Sequence, residues 1–352
     1  MANTLKIVIP TAGWATRVRP QTWSKPKPLV GVAGRASLDY LLDTFQSVPD
    51  LSTGATQCPE AAEYVIILDP YFGEMQIPPY MKEHYPDYHV HYVLQSVMRG
   101  QSDALWLARE YLTGPMIMCF SDTLIEADFS FLVNEKTDGI AWVKNVPDPR
   151  RFGVVEVDKD GWVRRLSEKP VSLENNRVAV GCYYFREGHE LVSAIEEQMK
   201  RKNSLKGEYF LADAINIMVE RGLKIRTQDI DIWLDMGTIE TILETNRYLL
   251  GHGHDNTKSI HRENVRINPP VFIHESAAID HSTIGPNASI GADCKITNSR
   301  VEDSILETGV VVEAAALQNS FIGRQALIQG HSAEADPMVL NIGDNSSIVI
   351  KK

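Results

Sequence analysis

From residue 4 to about residue 250, short uninterrupted apolar runs alternate with longer segments in which apolar residues recur every three or four positions. Residues 5–9, 64–68 and 115–120 are runs of the first kind, short enough and bounded sharply enough to read as strands buried on both faces. Leu38, Leu41, Leu42, Phe45 and Val48 share one helical stripe, as do Ala104, Leu105, Ala108, Tyr111 and Leu112. Buried strands alternating with amphipathic helices predict an α/β fold with a mainly parallel sheet flanked by helices. In the middle of the chain, residues 153–157 and 162–166 flank Asp158-Lys159-Asp160-Gly161 and predict a hairpin. Residues 177–185 predict another strand. Residues 187–200, 209–222 and 238–250 predict helices, with Gly222 standing where a C-cap glycine belongs.

From Pro269 the pattern changes. Ile273, Ile279, Ile284, Ile290, Ile296, Val301, Val311, Leu317, Ile322 and Ile328 recur at steps of mostly five or six, with small or polar residues between them. Such spacing lays one aliphatic side chain inward per side of a coil, and stacked turns build the core that one repeat cannot. Antiparallel hairpins would need period-two alternation, which is absent. The repeat resembles the left-handed parallel β-helix with hexapeptide periodicity. The expected organisation is a Rossmann-like domain over 1–251, a polar linker over 252–268, and the coil over 269–352 with 339–350 adding a strand or cap.

A formal charge of −11 argues against a nucleic-acid backbone or an anionic membrane as partner. No basic segment followed by an apolar one opens the chain, and no run approaches a membrane span, so a cytoplasmic location is expected. Cys58, Cys119, Cys182 and Cys294 lie far apart with no C-x-x-C pair, which speaks against structural zinc and against a disulfide framework. Cys119 and Cys182 sit in apolar runs and read as core thiols.

In parallel sheets, ligands bind beyond the carboxyl ends of the strands, so the loops after Ile9, Leu94, Phe120 and Leu234 are candidates for one shared site. After the first strand comes Pro10-Thr11-Ala12-Gly13-Trp14-Ala15-Thr16-Arg17, then Ser24-Lys25-Pro26-Lys27-Pro28-Leu29. Small residues let backbone N–H groups approach a polyphosphate, and Arg17 and Lys27 can neutralise it. Asp122 and Asp235 each follow an apolar run. Two strand-end carboxylates facing one phosphate loop suit Mg²⁺, which takes one or two protein carboxylates and fills its shell with phosphate oxygens and water. Gln95 offers a donor and an acceptor in one plane, as a nucleobase edge requires.

These motifs resemble those of the sugar-phosphate nucleotidyltransferases. Ala12-Gly13-Trp14-Ala15-Thr16-Arg17 is similar to their A-G-x-G-T-R segment, with Ala15 in place of the second glycine, and Pro26-Lys27 to the P-K pair. Ser121-Asp122 resembles their metal-binding G-D pair, with Ser121 for glycine, and Trp233-Leu234-Asp235-Met236-Gly237-Thr238 their W-x-D-x-G-T element. Gln95, followed by Gly100 and Ala104 at a helix start, matches the base-reading segment. Gly153 falls in a P-x-x-[FY]-G-V-V match, Glu168-Lys169-Pro170 is their E-K-P, and Gly181 lies on a strand like the one completing the sugar pocket. The resemblance implies that Arg17, Lys27 and Asp122 are catalytic and that Ala12, Gly13, Arg17, Lys27, Gln95 and Gly100 bind nucleotide. It implies likewise that Gly153, Glu168, Lys169 and Gly181 bind sugar phosphate, and that Asp122 and Asp235 hold Mg²⁺. Lys27 is preferred to the neighbouring Lys25 because it immediately precedes Pro28-Leu29.

The implied reaction joins a nucleoside triphosphate, dTTP or UTP, to a hexose 1-phosphate such as glucose 1-phosphate. An NDP-sugar and pyrophosphate result, and the coil holds a homo-oligomer together. Two rivals stand beside it. One is an added acyltransferase in the coil using His274, His281 or His331, and the other is a degenerate sugar-nucleotide-binding regulatory paralogue.

Overall fold

The computed structural model describes residues 4–51 and 62–350; Cys58 lies outside the described residues. In chain order the elements are β1 (Lys6–Pro10), β2 (Gly31–Val32), β3 (Arg35–Ala36), α1 (Ser37–Thr44), β4 (Glu63–Leu68), α2 (Phe72–His84) and β5 (His89–Leu94). Next come α3 (Gln101–Leu107), β6 (Met116–Cys119), β7 (Thr123–Ile125), β8 (Gly139–Asn145), β9 (Gly153–Val157), β10 (Val163–Glu168) and β11 (Arg177–Phe185). Then follow α4 (Gly188–Lys200), α5 (Leu211–Glu220), β12 (Ile225–Asp229), β13 (Trp233–Asp235) and α6 (Ile239–Leu249), after which the coil begins. The chain divides into two compact units, Met1–Gly13 with Leu41–Trp233, and Trp14–Tyr40 with Leu234–Lys352.

The first unit is α/β. Its nine-stranded sheet runs β10-β9-β11-β6-β1-β4-β5, with β8 joining β11 to β12. The centre is parallel: β1 pairs β4 and β6, and β4 pairs β5. The antiparallel part is built around β11. Ile7, Val8, Ile9 and all of β6 are fully buried, as expected of strands covered on both faces. Leu105 of α3, Leu191 and Ile195 of α4 and Ile215 of α5 pack with Val8, Val65 and Met118 in one core. β5 is the sheet edge and is exposed at every second or third position, so its apolar residues do not mark a doubly buried strand. Cys119 and Cys182 face each other across β6 and β11, both buried and reduced. Among the described residues no helix is long and apolar enough to cross a membrane.

The second unit is a three-sided parallel coil with α6 and the 14–40 segment built onto it. Each short strand pairs in parallel with the third strand on, except that Phe321–Ile322 and Leu327–Gln329 pair with the second strand on, giving sheets of four, five and five strands. Val271 pairs Ala288 and Ser289 pairs Ile305, so a turn takes 17 residues and then 16. The last turn, through Asn341–Ile342 and Ser347–Val349, closes the coil as the tail pattern predicted. The first coil strand is Val265–Ile267, paired with Ser282–Ile284. The spacing held except at one strand, where the inward residue is Val312 rather than the half-buried Val311. Corners fall at left-handed Asn287, Asn298 and Asn319, a residue type that tolerates this conformation. Ser282, Ser299 and Ser304 accept the buried N–H groups of Ser299, Ala315 and Ser320, so the corners leave those donors satisfied.

α6 starts with a capping box between Thr238 and Thr241. Its Asn246, fully buried, accepts from Ala33 N–H and Ser289 Oγ–H and donates to the Asn287 carbonyl. One amide therefore joins the 31–36 hairpin, the helix and the coil.

Candidate active site

Strands β1, β4, β5 and β6 are mutually parallel, so the residues after them gather at one edge of the first unit's sheet. Thr11 and Ala12 both donate backbone N–H bonds to the Ile67 carbonyl, which turns the chain out of β1. Gly13 follows, exposed and with open space where a side chain would stand. Asp122 lies in the turn between β6 and β7. Thr123 N–H closes that turn on the Phe120 carbonyl, while Phe120 N–H and Thr123 Oγ–H bond the Gly181 and Val180 carbonyls. Ser121 has an ordinary backbone conformation, so serine in place of the family glycine carries no backbone penalty there.

Gln95 is buried at the end of β5. Its Nε2 donates to the Gly100 carbonyl at 3.1 Å and to Asp103 Oδ2 at 3.0 Å, and Arg99 pairs with the same Asp103 at 2.6 Å. The amide is therefore oriented by its partners, with both N–H groups engaged. Gly100 has φ +97°, and a Cβ there would lie 2.5 Å from the Tyr209 carbonyl oxygen, so packing alone requires glycine.

β11 runs antiparallel to β6 with Cys182 opposite Cys119, so its N-terminal half extends past the same edge. There Gly153 pairs with Glu168, and Lys169, held in a left-handed conformation, donates its N–H to Phe152. A Cβ on Gly153 would stand 3.2 Å from Glu168 Oε2. Lys169 Nζ lies 4.0 Å from Glu168 Oε1 and 4.9 Å from the Phe210 ring centroid. Burial raises the Glu168 carboxyl above its usual range; the Lys169 charge opposes this and Asp213 adds to it. Burial likewise raises Asp213, which sits in the first turn of α5. Sequence reasoning missed Asp213 and Phe210, and the only local signal was an acidic residue in a first helical turn. Gly181 sits at a register shift of β11, with Phe120 where its side chain would be.

Arg17, Lys27 and Asp235 belong to the second unit. Ala15 is left-handed, at φ 42°, so the substituted alanine does carry the backbone cost of roughly 1 kcal/mol. Its carbonyl is fixed by Val18 N–H at 3.0 Å and Thr22 Oγ–H at 3.0 Å. That turn buries Val18 and leaves Arg17 exposed. Lys25 is 3% exposed and ion-paired with Glu307 of the coil, whereas Lys27 is half-buried. Asp235 ends a strand that is half-buried rather than fully buried. Its Oδ1 accepts the Gly237 N–H at 2.9 Å, and a Cβ on Gly237 would lie 2.8 Å from that oxygen and 3.3 Å from Arg17 Nη2. The guanidinium and the carboxylate thus flank one glycine.

Among the described residues no group of three or more His, Cys, Asp or Glu could hold a metal ion. A single carboxylate such as Asp235 beside the Arg17 cation suits an ion that brings most of its own oxygens from phosphate and water rather than zinc, which requires three or four protein ligands. His274 and His281 bond Ser276 and Asp280 at the surface of the coil.

Residues 6–251 match the family model described as nucleotidyl transferase, and 267–347 match that described as the GMPPB C-terminal domain. The glucose-1-phosphate thymidylyltransferase of Streptomyces antibioticus is 30% identical over 377 residues, covering 99% of this chain and 100% of its own. That of Streptomyces griseus is 27% identical, covering 97% and 98%. The bifunctional protein GlmU of Methanocaldococcus jannaschii is 29% identical over 77% of this chain and 60% of its own length. A crystal structure of UDP-glucose pyrophosphorylase complexed with UDP-glucose superposes with TM-score 0.59 at 16% identity, over 71% of this chain and 99% of that one, a likeness of fold. With the nucleotidyl transferase model spanning the whole α/β region and a relative matched from end to end, this chain belongs to the nucleotidyl transferase family, whose members generally use a divalent metal.

Proposed function

We propose that the protein transfers a nucleotidyl group from dTTP or UTP to a hexose 1-phosphate, glucose 1-phosphate in the first instance, releasing pyrophosphate. The observation that carries this reading is the placing of Arg17 and Asp235 around Gly237, a cation for phosphate beside a carboxylate suited to a metal. A phosphate oxygen of the sugar 1-phosphate attacks the α-phosphorus in line, and the bond to the β-phosphate oxygen breaks. No general base is required, because a phosphate monoester with a second pKa near 6 is already largely dianionic at neutral pH. The barrier is the approach of two anions. Arg17 and Lys27 hold the triphosphate and take up charge developing at the α-phosphoryl group, while Lys169 draws in the sugar phosphate. Asp122 and Asp235 would hold the divalent ion, assigned as Mg²⁺, which when bound neutralises phosphate charge.

Gly13, with open space where a side chain would stand, offers its backbone to the nucleotide, and Ala12, whose own N–H is bonded to Ile67, places that glycine beside it. Gly153, Glu168 and Gly181 line the sugar side, where the Glu168 carboxylate accepts from sugar hydroxyls. With both Gln95 N–H groups taken by Gly100 and Asp103, the base must supply a donor to Oε1. The imino N–H of thymine or uracil is such a donor; guanine N1–H and the amino groups of adenine and cytosine are donors too, so the choice among bases rests on the thymidylyltransferase relatives. The catalytic domain is taken as 1–251 and the coil as beginning at Val265, ahead of the expected 269, the coil also serving to associate copies of the chain. Pyrophosphate release, measured for each nucleoside triphosphate against glucose, galactose, mannose and N-acetylglucosamine 1-phosphates, tests the reading. Highest kcat/KM with dTTP or UTP and glucose 1-phosphate is expected. Turnover confined to ATP or CTP would overturn the base assignment, and no pyrophosphate with any pair would overturn the activity.

A further inference from the structure

Between Arg17 and Lys27, the loop is bonded to the coil at four of its residues. Lys25 and Glu307, both buried, form an ion pair, and the second Glu307 oxygen accepts the Gly31 N–H at 3.4 Å. Gln21, fully buried, directs its Nε2 at the Phe321 carbonyl, Asn341 Oδ1 and the Ile342 carbonyl, at 3.1, 2.9 and 2.9 Å. Ser24 donates to Asp344 Oδ2 at 2.6 Å, and Arg324 pairs with the same carboxylate at 2.8 Å. Asn341 Nδ2 reaches the Arg19 carbonyl at 3.3 Å. The loop residues involved are 19, 21, 24 and 25; their partners are Glu307 in the middle turn of the coil and Phe321, Asn341, Ile342 and Asp344 in its last turns.

A buried ion pair is a poor way to gain stability alone, because an apolar pair of similar volume does as well or better. What a charged pair adds is one permitted geometry. The loop's regular structure is two single 3₁₀ turns at Thr16–Val18 and Lys27–Leu29, and between them Gln21 and Lys25 are buried where they bond the coil. A cation acting on a developing charge is effective only when held in place beforehand, and a small displacement of a positioning group costs rate rather than fold.

We propose that Glu307 is a positioning residue for nucleotidyl transfer. By binding Lys25 and Gly31 it fixes the frame on which Arg17 and Lys27 meet the triphosphate, so the coil is part of the catalytic apparatus rather than an appendage. This rests on the triphosphate role given above to Arg17 and Lys27.

The test compares Glu307→Gln, the apolar double variant Lys25→Met/Glu307→Leu, Asn341→Ala and Lys27→Ala. Thermal melts and far-UV circular dichroism are recorded beside kcat and KM for each substrate. Glu307→Gln is expected to lower kcat/KM for the nucleoside triphosphate by about 10- to 100-fold at temperatures where it is fully folded, up to the cost of a small misplacement of the groups it positions. KM for the sugar 1-phosphate should stay within about twofold, as for an interaction the sugar does not make. The double variant is expected to recover the melting temperature but not the rate. Asn341→Ala, which disturbs the frame without burying a charge, should lose severalfold in the same constant and serves if Glu307→Gln does not fold. Wild-type kcat/KM in the double variant would overturn the proposal and reduce the pair to packing. So would wild-type kcat/KM in Asn341→Ala together with folded Glu307→Gln. If Lys27→Ala alone keeps full turnover, the triphosphate reading has failed and the proposal falls with it. If Lys27→Ala is slow while the Glu307 and Asn341 variants are not, only the positioning role has failed.

Discussion

In the first unit, Gln95, Asp122, Gly153, Glu168 and Gly181 stand at or beside the ends of strands in one sheet. In the second, Arg17, Lys27 and Asp235 stand on short turns and a half-buried strand end. The first set is held by backbone registers and by local bonds such as Gln95 to Gly100 and Asp103. The second is held by side chains that reach across nearly the whole sequence, Lys25 to Glu307 and Ser24 to Asp344. A sheet edge tolerates little change in backbone position but can vary its side chains, which suits choice of base and sugar. The 14–40 segment lies in the same compact unit as the coil and is fixed to it by polar side-chain bonds, which suits control of rate. The difference leads us to expect specificity to be written mainly in the first unit and turnover mainly in the second, with Asp122 as the exception.

The largest test of that division is the carboxylate pair. Asp122→Asn and Asp235→Asn are each expected to lower kcat by about 10²-fold or more with an unchanged circular dichroism spectrum, as for a group acting on developing charge. In Asp235→Asn the amide oxygen can still accept from Gly237, so fold loss there would point to a structural role instead. Near-normal turnover in both single variants would remove the metal assignment.

Gly100→Ala addresses the sheet side. The added methyl meets the Tyr209 carbonyl and sits at a positive φ, so a loss of about 2–5 kcal/mol in urea unfolding is expected. A loss below about 0.5 kcal/mol, the size of an ordinary surface change, would mean that the approach of Tyr209 is not as close as it stands.

Glu168→Gln separates binding from stability. The folded carboxyl is raised above the usual 4.5, so between the two values the folded state holds more protons and stability falls as pH rises. Above both values the cost is complete. The glutamine variant should therefore show a larger gain in melting temperature at about pH 8 than at about pH 4, while KM for the sugar 1-phosphate rises at pH 8. An equal gain at both pH values would rule out charge burial as the cause.

Ala15→Gly is the smallest. Relief of the left-handed alanine should stabilise the protein by up to about 1 kcal/mol, less the entropy glycine adds to the unfolded chain. A fall in melting temperature would show that the methyl makes a contact worth more than the strain.

The periodicities alone determined most of the architecture. Strands at 64–68, 115–120 and 177–185 and the hairpin of β9 and β10 were legible because a doubly covered strand must be continuously apolar and a turn needs Gly or Asp. The coil was legible because its steps of five and six repeat; the slip from Val311 to Val312 came from adjacent valines, between which spacing cannot choose. The motifs also singled out Arg17, Lys27, Asp122 and Asp235 as candidates, because their resemblance to the family's segments is local in sequence.

Tertiary structure decided the rest. Which of Lys25 and Lys27 is buried depends on Glu307, and no local pattern announces a partner 282 residues away. Asp213 affects Glu168 only because α5 packs on β10. Whether Ala15 is strained while Ser121 is not follows from the φ each turn imposes. Periodicity reports which side of an element is dry, because that preference is averaged over many residues. The pairing of individual polar groups is settled by single contacts, and those exist only once the chain has folded.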